Sequence, residues 1–284
     1  MAHRIVMERP DMRKELEIPV KEKVIRLTSE IVYGQRIEWC SAVYHQMKMS
    51  MIAPRQHFPY DPLDEIYPVL VFFCGGGFTE MDRNVWVPEL SWYAKHGYAV
   101  ISVEYSVTAR TRFPMQLEDA KAAIRYIRAH AEELHIDSDR IVVMGESAGA
   151  YMSGIVALTG NDRTHDVGDN QEYSSAVSGA VCFYCGDGGF EKIDPEIAIL
   201  PADIEKYPLL SDLIDNDTPP MLLLHGTDDT QVAISHSERM YEALQAHGIR
   251  SDLYVFKGAE HADAPFVQTE TKEIILNFMN SLWK

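Results

Sequence analysis

The sequence predicts an α/β fold: a mostly parallel, twisted sheet of about eight strands with helices on both faces. Three observations carry this expectation. Short apolar runs such as Tyr67–Phe73 and Tyr98–Tyr105 alternate with segments of helical period, and parallel strands buried on both faces read as continuous apolar runs. One run, Ile141-Val142-Val143-Met144, leads straight into Gly145-Glu146-Ser147-Ala148-Gly149, which between a strand and a helix makes a tight turn that exposes the serine oxygen. Downstream, two more strand-like runs each end in a turn bearing a side chain suited to proton chemistry.

Taken in order, Val24–Val32 and Arg36–Ala53 read as two strands that open the sheet in antiparallel fashion. Tyr67–Phe73 is a buried strand ending in Cys74-Gly75-Gly76-Gly77-Phe78. Such a glycine run lets backbone N–H groups approach a ligand closely, as an oxyanion hole requires. A helix is expected from Val85 to His96, stopped by Gly97. Gln116–Leu134 places Leu117, Ala120, Ala123, Ile124, Ile127 and Ala131 at helical spacing. The helix after Ser147 runs from Ala148 to Leu158 and is broken by Thr159-Gly160-Asn161-Asp162. Residues 161–177, polar and rich in Asp, read as a surface loop. Residues 186–220 form an insertion after the Ser178–Cys185 strand, and loops leaving the carboxyl ends of parallel strands border the active site.

Ser147 is the candidate nucleophile, Asp228 or Asp229 the candidate acid, and His261 the candidate base. They follow the chain order Ser, Asp, His, each at the C-terminal end of an expected strand. The chain has 11 histidines, and His261 alone follows the last strand. The competing readings are structural: Ser147 as a helix N-cap, one aspartate as a turn residue, His225 as a satisfied core histidine, and Glu146 as a hydrogen-bonding support beside the turn.

These residues resemble the α/β-hydrolase family, and within it the small carboxylesterases of the hormone-sensitive-lipase and acetyl-esterase group. The similarity runs from about Pro68 to the C-terminus and includes Phe113-Pro114-Met115-Gln116-Leu117-Glu118-Asp119-Ala120. It implies a serine esterase with Ser147, Asp229 and His261 as the triad, Asp229 being chosen by the pattern His-Gly-Thr-x-Asp-x-x-Val. It further implies an oxyanion hole of Gly76, Gly77 and Ala148 N–H groups, Phe78 and Tyr184 at the substrate, and no cofactor or metal. Short-chain acyl esters are the leading substrates, including acetylated or feruloylated carbohydrate fragments, because Gly168–Ser175 followed by Val181–Tyr184 resembles bacterial acetyl- and feruloyl-esterases. Arylformamidases and small peptidases of the same fold are the enzymatic alternatives. A catalytically silent ligand-binding homologue is the alternative from another class. Two departures stand out. Cys74 replaces the histidine that usually opens the glycine motif, so apolar packing from Phe73 and Phe78 is expected to hold that loop. Glu104-Tyr105-Ser106 replaces the usual Asp-Tyr-Arg.

A chain of 284 residues, 46% hydrophobic and 24% charged, suits one α/β domain, with residues 1–66 as N-terminal strands and a short extension. Two strands occupy the length that a helical cap fills in many relatives, so an open site is expected. The net charge of −17 argues against nucleic-acid and anionic-membrane partners. No apolar run is long enough to span a bilayer or to serve as a signal segment, which gives a cytoplasmic expectation. Cys182 and Cys185 lie in a strand-like segment without the helix N-terminus that activates redox pairs, so they read as buried thiols. Leu253-Tyr254-Val255 near a sheet edge is a slight pointer to a homodimer.

Overall fold

Eight strands form one sheet: β1 (Val24–Ile37), β2 (Tyr44–Arg55), β3 (Tyr67–Phe73), β4 (Ala99–Val103), β5 (Ile136–Glu146), β6 (Gly179–Phe183), β7 (Met221–Gly226) and β8 (Ser251–Phe256). The computed structural model describes residues 14–19, 21–37, 43–55, 65–108, 111–188 and 204–283. The spatial order is β1-β2-β4-β3-β5-β6-β7-β8. β1 pairs antiparallel with β2 and β2 with β4, while every pairing from β4 through β8 is parallel.

Parallel pairing demands crossovers, and six helices accompany the sheet: α1 (Val87–Lys95), α2 (Met115–Ala129), α3 (Ala131–Leu134), α4 (Ala148–Leu158), α5 (Ser235–Ala246) and α6 (Thr269–Ser281). Because strand side chains alternate, β3 feeds two cores. Val69, Val71 and Phe73 join the cluster holding Ile124 of α2, Tyr151 and Ile155 of α4 and Met240 of α5. Leu70 and Phe72 join the other cluster, with Leu90 and Tyr93 of α1 and Ile275 and Phe278 of α6. No helix among the described residues is long and apolar enough to cross a membrane.

The structure departs from the expected elements in three places. β1 continues to Ile37 and β2 starts at Tyr44, so Arg36 belongs to the first strand; the expected start of the second, residues 38–42, lies outside the described residues. α1 starts at Val87 because Pro88 suits a first turn. The helix expected across 116–134 breaks at His130, whose ring bonds back to the Tyr126 carbonyl at 2.9 Å, and resumes as the single turn α3. Within the 186–220 insertion, residues 189–203 lie outside the described residues.

Residues 161–177 form the expected surface loop, which is docked on α2 by buried cations. The side chains of Lys121 and Arg125 are fully buried. Lys121 Nζ donates to the Thr159 carbonyl at 3.0 Å, and Arg125 Nη1 donates to Asp166 Oδ1 at 3.1 Å. Burial pushes both cations down in pKa, and the Asp166 carboxylate opposes this. Removing one partner of a buried pair leaves an uncompensated charge. Asp166→Ala is therefore expected to cost about 3–5 kcal/mol in urea unfolding; a loss under ~1 kcal/mol, the range of surface pairs, would contradict this role.

Candidate active site

Ser147 stands between β5 and α4 with φ 54° and ψ −121°, a strained conformation for a side-chain-bearing residue. The turn around it leaves no space for side chains at its flanks. A Cβ on Gly149 would sit inside the van der Waals envelope of the Phe73 carbonyl, and one on Gly145 would strike the Gly149 carbonyl. The Ser147 N–H donates to the Phe183 carbonyl at 3.1 Å, which ties the turn to the end of β6.

β7 and β8 deliver the other two groups to the same edge of the sheet. The Asp229 side chain is fully buried, and Asp229 Oδ2 lies 2.7 Å from His261 Nδ1. His261 Nε2 in turn lies 2.9 Å from Ser147 Oγ. An ionised carboxylate only accepts, so Nδ1 carries the proton and Nε2 is left to accept from the serine hydroxyl. Burial alone would raise the Asp229 pKa. Hydrogen bonds from His225, His261 and the Val232 N–H outweigh it and hold the carboxyl well below the usual range.

His225 is a satisfied buried residue: Ser237 Oγ lies 2.7 Å from its Nδ1, and the Val232 carbonyl 2.8 Å from its Nε2. With Asp229 Oδ2 also 3.4 Å from Nε2, that nitrogen faces two acceptors and must be the donor. Asp228 accepts from the Thr227 hydroxyl at 2.7 Å in an exposed turn. The structure thus brings Asp229, and not Asp228, to His261.

The glycine loop after β3 is flanked by the buried rings of Phe73 and Phe78, as expected, and is braced by polar contacts as well. Glu146 Oε1 accepts the Gly75 N–H, and also Trp86 Nε1–H at 3.2 Å. The Cys74 thiol reaches the same oxygen at 3.7 Å, and the Tyr105 hydroxyl donates to the Cys74 carbonyl at 2.6 Å. Burial pushes the Cys74 thiol up to about 12, so it is a neutral thiol. Burial also raises the Glu146 carboxyl, against the lowering effect of the Gly75 and Trp86 donors. Gly76 adopts φ 131°, and a Cβ there would strike the Glu80 carbonyl. The N–H groups of Gly76, Gly77 and Ala148 donate to no acceptor among the described residues.

Phe78 and Tyr184, the residues expected at the substrate, both pack against neighbouring rings. Phe78 is buried with its ring 5.6 Å from that of Tyr151 and 4.7 Å from that of Tyr207. Tyr184 is buried with its ring 4.5 Å from His261 and 4.9 Å from Phe266, so it supports the imidazole from behind. Cys182 and Cys185 are free and buried.

Behind the acid loop, His236 Nδ1 takes donors from the Asp187 N–H at 3.2 Å and from Arg239 Nη2 at 2.8 Å. Burial and the neighbouring Arg239 lower this imidazole from 6.5 to about 4. Its folded pKa is depressed, so unfolding takes up a proton below 6.5; the stability it contributes is complete above that pH and is lost as pH falls towards 4. Asp229, also depressed, adds a loss that begins below its ordinary 3.8. The melting temperature is therefore expected to fall between pH 6.5 and 4, and less steeply in His236→Gln. Equal slopes in the two proteins would contradict the assignment.

The mostly parallel eight-stranded sheet flanked by helices has the α/β-hydrolase fold. Residues 58–194 match the family model BD-FAE. The probable carboxylic ester hydrolase LipM of Mycobacterium tuberculosis is 27% identical over 218 residues, covering 71% of this chain and 48% of its own length. The isoprenylcysteine alpha-carbonyl methylesterase ICME of Arabidopsis thaliana is 24% identical over 70% of this chain and 51% of its own. The chain therefore spans about half the length of the curated relatives it matches. Among solved structures, a truncated carbohydrate esterase from gut microbiota superposes with a TM-score of 0.75 at 19% identity, over 93% of this chain and 98% of that one. Thermogutta terrifontis esterase 2, phosphoramylated by tabun, gives 0.73 at 23% identity over 94% and 98%. At these identities the likeness shows the shared fold.

Proposed function

We propose that the protein is a serine carboxylesterase acting on short-chain acyl esters, with acylated carbohydrate fragments as its substrate class. The observation that carries this reading is the unbroken chain from Ser147 Oγ to His261 Nε2 at 2.9 Å and from His261 Nδ1 to Asp229 Oδ2 at 2.7 Å. Ser147 Oγ bonds to the ester carbonyl carbon while its proton passes to His261 Nε2. The N–H groups of Gly76, Gly77 and Ala148 receive the negative charge on the carbonyl oxygen. The C–O bond then breaks, the alcohol leaves with the proton from His261, and water repeats the sequence on the acyl-enzyme. Asp229 keeps the imidazole in the required tautomer and balances its transient charge. Relatives whose descriptions name carboxylic ester, carbohydrate ester and acetyl ester-xyloside hydrolases support the ester and sugar parts of this reading.

Purified protein assayed on p-nitrophenyl esters of increasing acyl length is expected to prefer acetate to butyrate, and to release acetate from acetylated sugars. Hydrolysis of an arylformamide or a peptide without any ester hydrolysis would overturn the reading. Asp229→Asn is expected to lower kcat by about 10⁴-fold, since the wrong imidazole tautomer then faces Ser147. Asp228→Asn is expected to stay within about threefold, because the hydrogen bond it weakens is a surface turn contact; the reverse ranking would reassign the acid.

A further inference from the structure

A polar cavity of about 250 Å³ opens beside the loop that carries Gly76 and Gly77. Thr79 and Glu80 line it, and their N–H groups donate to the Gly76 carbonyl at 3.1 and 3.2 Å. The cavity is therefore built on the same turn as the candidate oxyanion donors. Ser106 also lines it, at the position where the esterases this chain resembles carry the arginine of Asp-Tyr-Arg. Here the guanidinium comes from a different strand. Arg36 of β1 donates through Nε to Asp119 Oδ1 and places Nη2 3.3 Å from the Glu118 carboxylate, so α2 keeps its cationic partner. Ser106 is short, and the cavity lies open beside it.

We propose that this cavity is a leaving-group subsite that holds one neutral sugar ring of an acylated carbohydrate. The proposal rests on the esterase reading and specifies where the alcohol part of the substrate sits. Its lining presents donors on Arg36 and His45, acceptors on Glu80 and Glu104, and hydroxyls on Thr79 and Thr111. Such a mixture suits vicinal hydroxyl groups, which both donate and accept. Met47 and Met81 add apolar surface for the C–H face of a ring. Charge disfavours an anion: Arg36 is paired with Glu118 and Asp119, Glu80 and Glu104 line the cavity, and Glu104 is shared by His45 at 2.7 Å and Arg83 at 3.3 Å. The volume is also small beside the ~300–1,000 Å³ of pockets for drug-sized ligands, and so suits a single ring.

The test compares kcat/KM on p-nitrophenyl acetate and on acetylated methyl xyloside for the parent protein, Ser106→Arg and His45→Ala. Ser106→Arg places a long side chain at the wall of the cavity. The parent is expected to hydrolyse both esters. In Ser106→Arg the xyloside-to-nitrophenyl ratio is expected to fall about tenfold or more through KM, the scale of losing a few neutral hydrogen bonds. His45→Ala, which removes one donor at a half-exposed position, is expected to lower the ratio about threefold. Thermal melts establish that each variant is folded, and His45→Ala carries the test if Ser106→Arg is not. Ratios that match the parent, or an equal fall on both esters, would overturn the subsite. A parent that cleaves the nitrophenyl ester but not the xyloside would overturn it while leaving the esterase reading standing. Cleavage of neither would remove that reading and the subsite with it.

Discussion

Ser147→Ala and His261→Ala are each expected to lower kcat on p-nitrophenyl acetate by about 10⁴–10⁶-fold, and the double variant by scarcely more. The non-additivity is the informative part. With Oγ 2.9 Å from Nε2, the two side chains act in the proposed mechanism as one proton-coupled unit, so removing either would end it. What remains comes from binding and from the backbone donors of the oxyanion loop, which neither substitution touches. Ala at 147 also keeps the backbone of a residue held at positive φ, so thermal melts should stay near the parent value. A Ser147→Ala protein that kept a tenth of the parent rate would remove the serine from the chemistry.

Glu146 is the second residue with a large expected effect. Its carboxylate is the shared acceptor for the Gly75 N–H and Trp86 Nε1–H, and is within 3.7 Å of the Cys74 sulfur. Glu146→Ala strands buried donors, each at a cost of about 1–3 kcal/mol, and frees the loop that presents Gly76 and Gly77. A loss of about 10²–10³-fold in kcat is expected, the scale of removing one oxyanion donor, with a smaller change in KM. Glu146→Gln keeps an acceptor oxygen and should recover most of the activity. A Gln variant as inactive as Ala would show that the negative charge is what matters, and that loop bracing is not the role.

The residues read from sequence and the residues found by structure differ in one physical respect. β3 at Tyr67–Phe73 and α4 at Ala148–Leu158 coincide with their expected bounds, because apolar runs and glycine breaks are local signals. The chemistry at Ser147, Asp229 and His261 is legible for the same reason: each side chain sits at the end of a strand whose own sequence announces it. Trp86 reaches Glu146 across 60 residues of chain and Tyr105 reaches the Cys74 carbonyl across 31, and nothing local marks either contact. Phe78 shows the same. Its place next to the glycines is local, but its ring partner Tyr207 lies 129 positions further on. The cations under residues 161–177 are similarly hidden, since Lys121 and Arg125 lie in a helical stretch where charge ordinarily marks the solvated face.

The central claim is that Ser147 is the nucleophile of an esterase, and covalent trapping tests it most directly. The protein is treated with paraoxon, residual p-nitrophenyl acetate hydrolysis is followed, and the modified peptide is identified by mass spectrometry. The account predicts that activity falls in step with a single phosphoryl adduct on the peptide containing Ser147, and that Ser147→Ala takes up no label. Complete inactivation with the adduct on another residue, or full activity with Ser147 stoichiometrically modified, would contradict it.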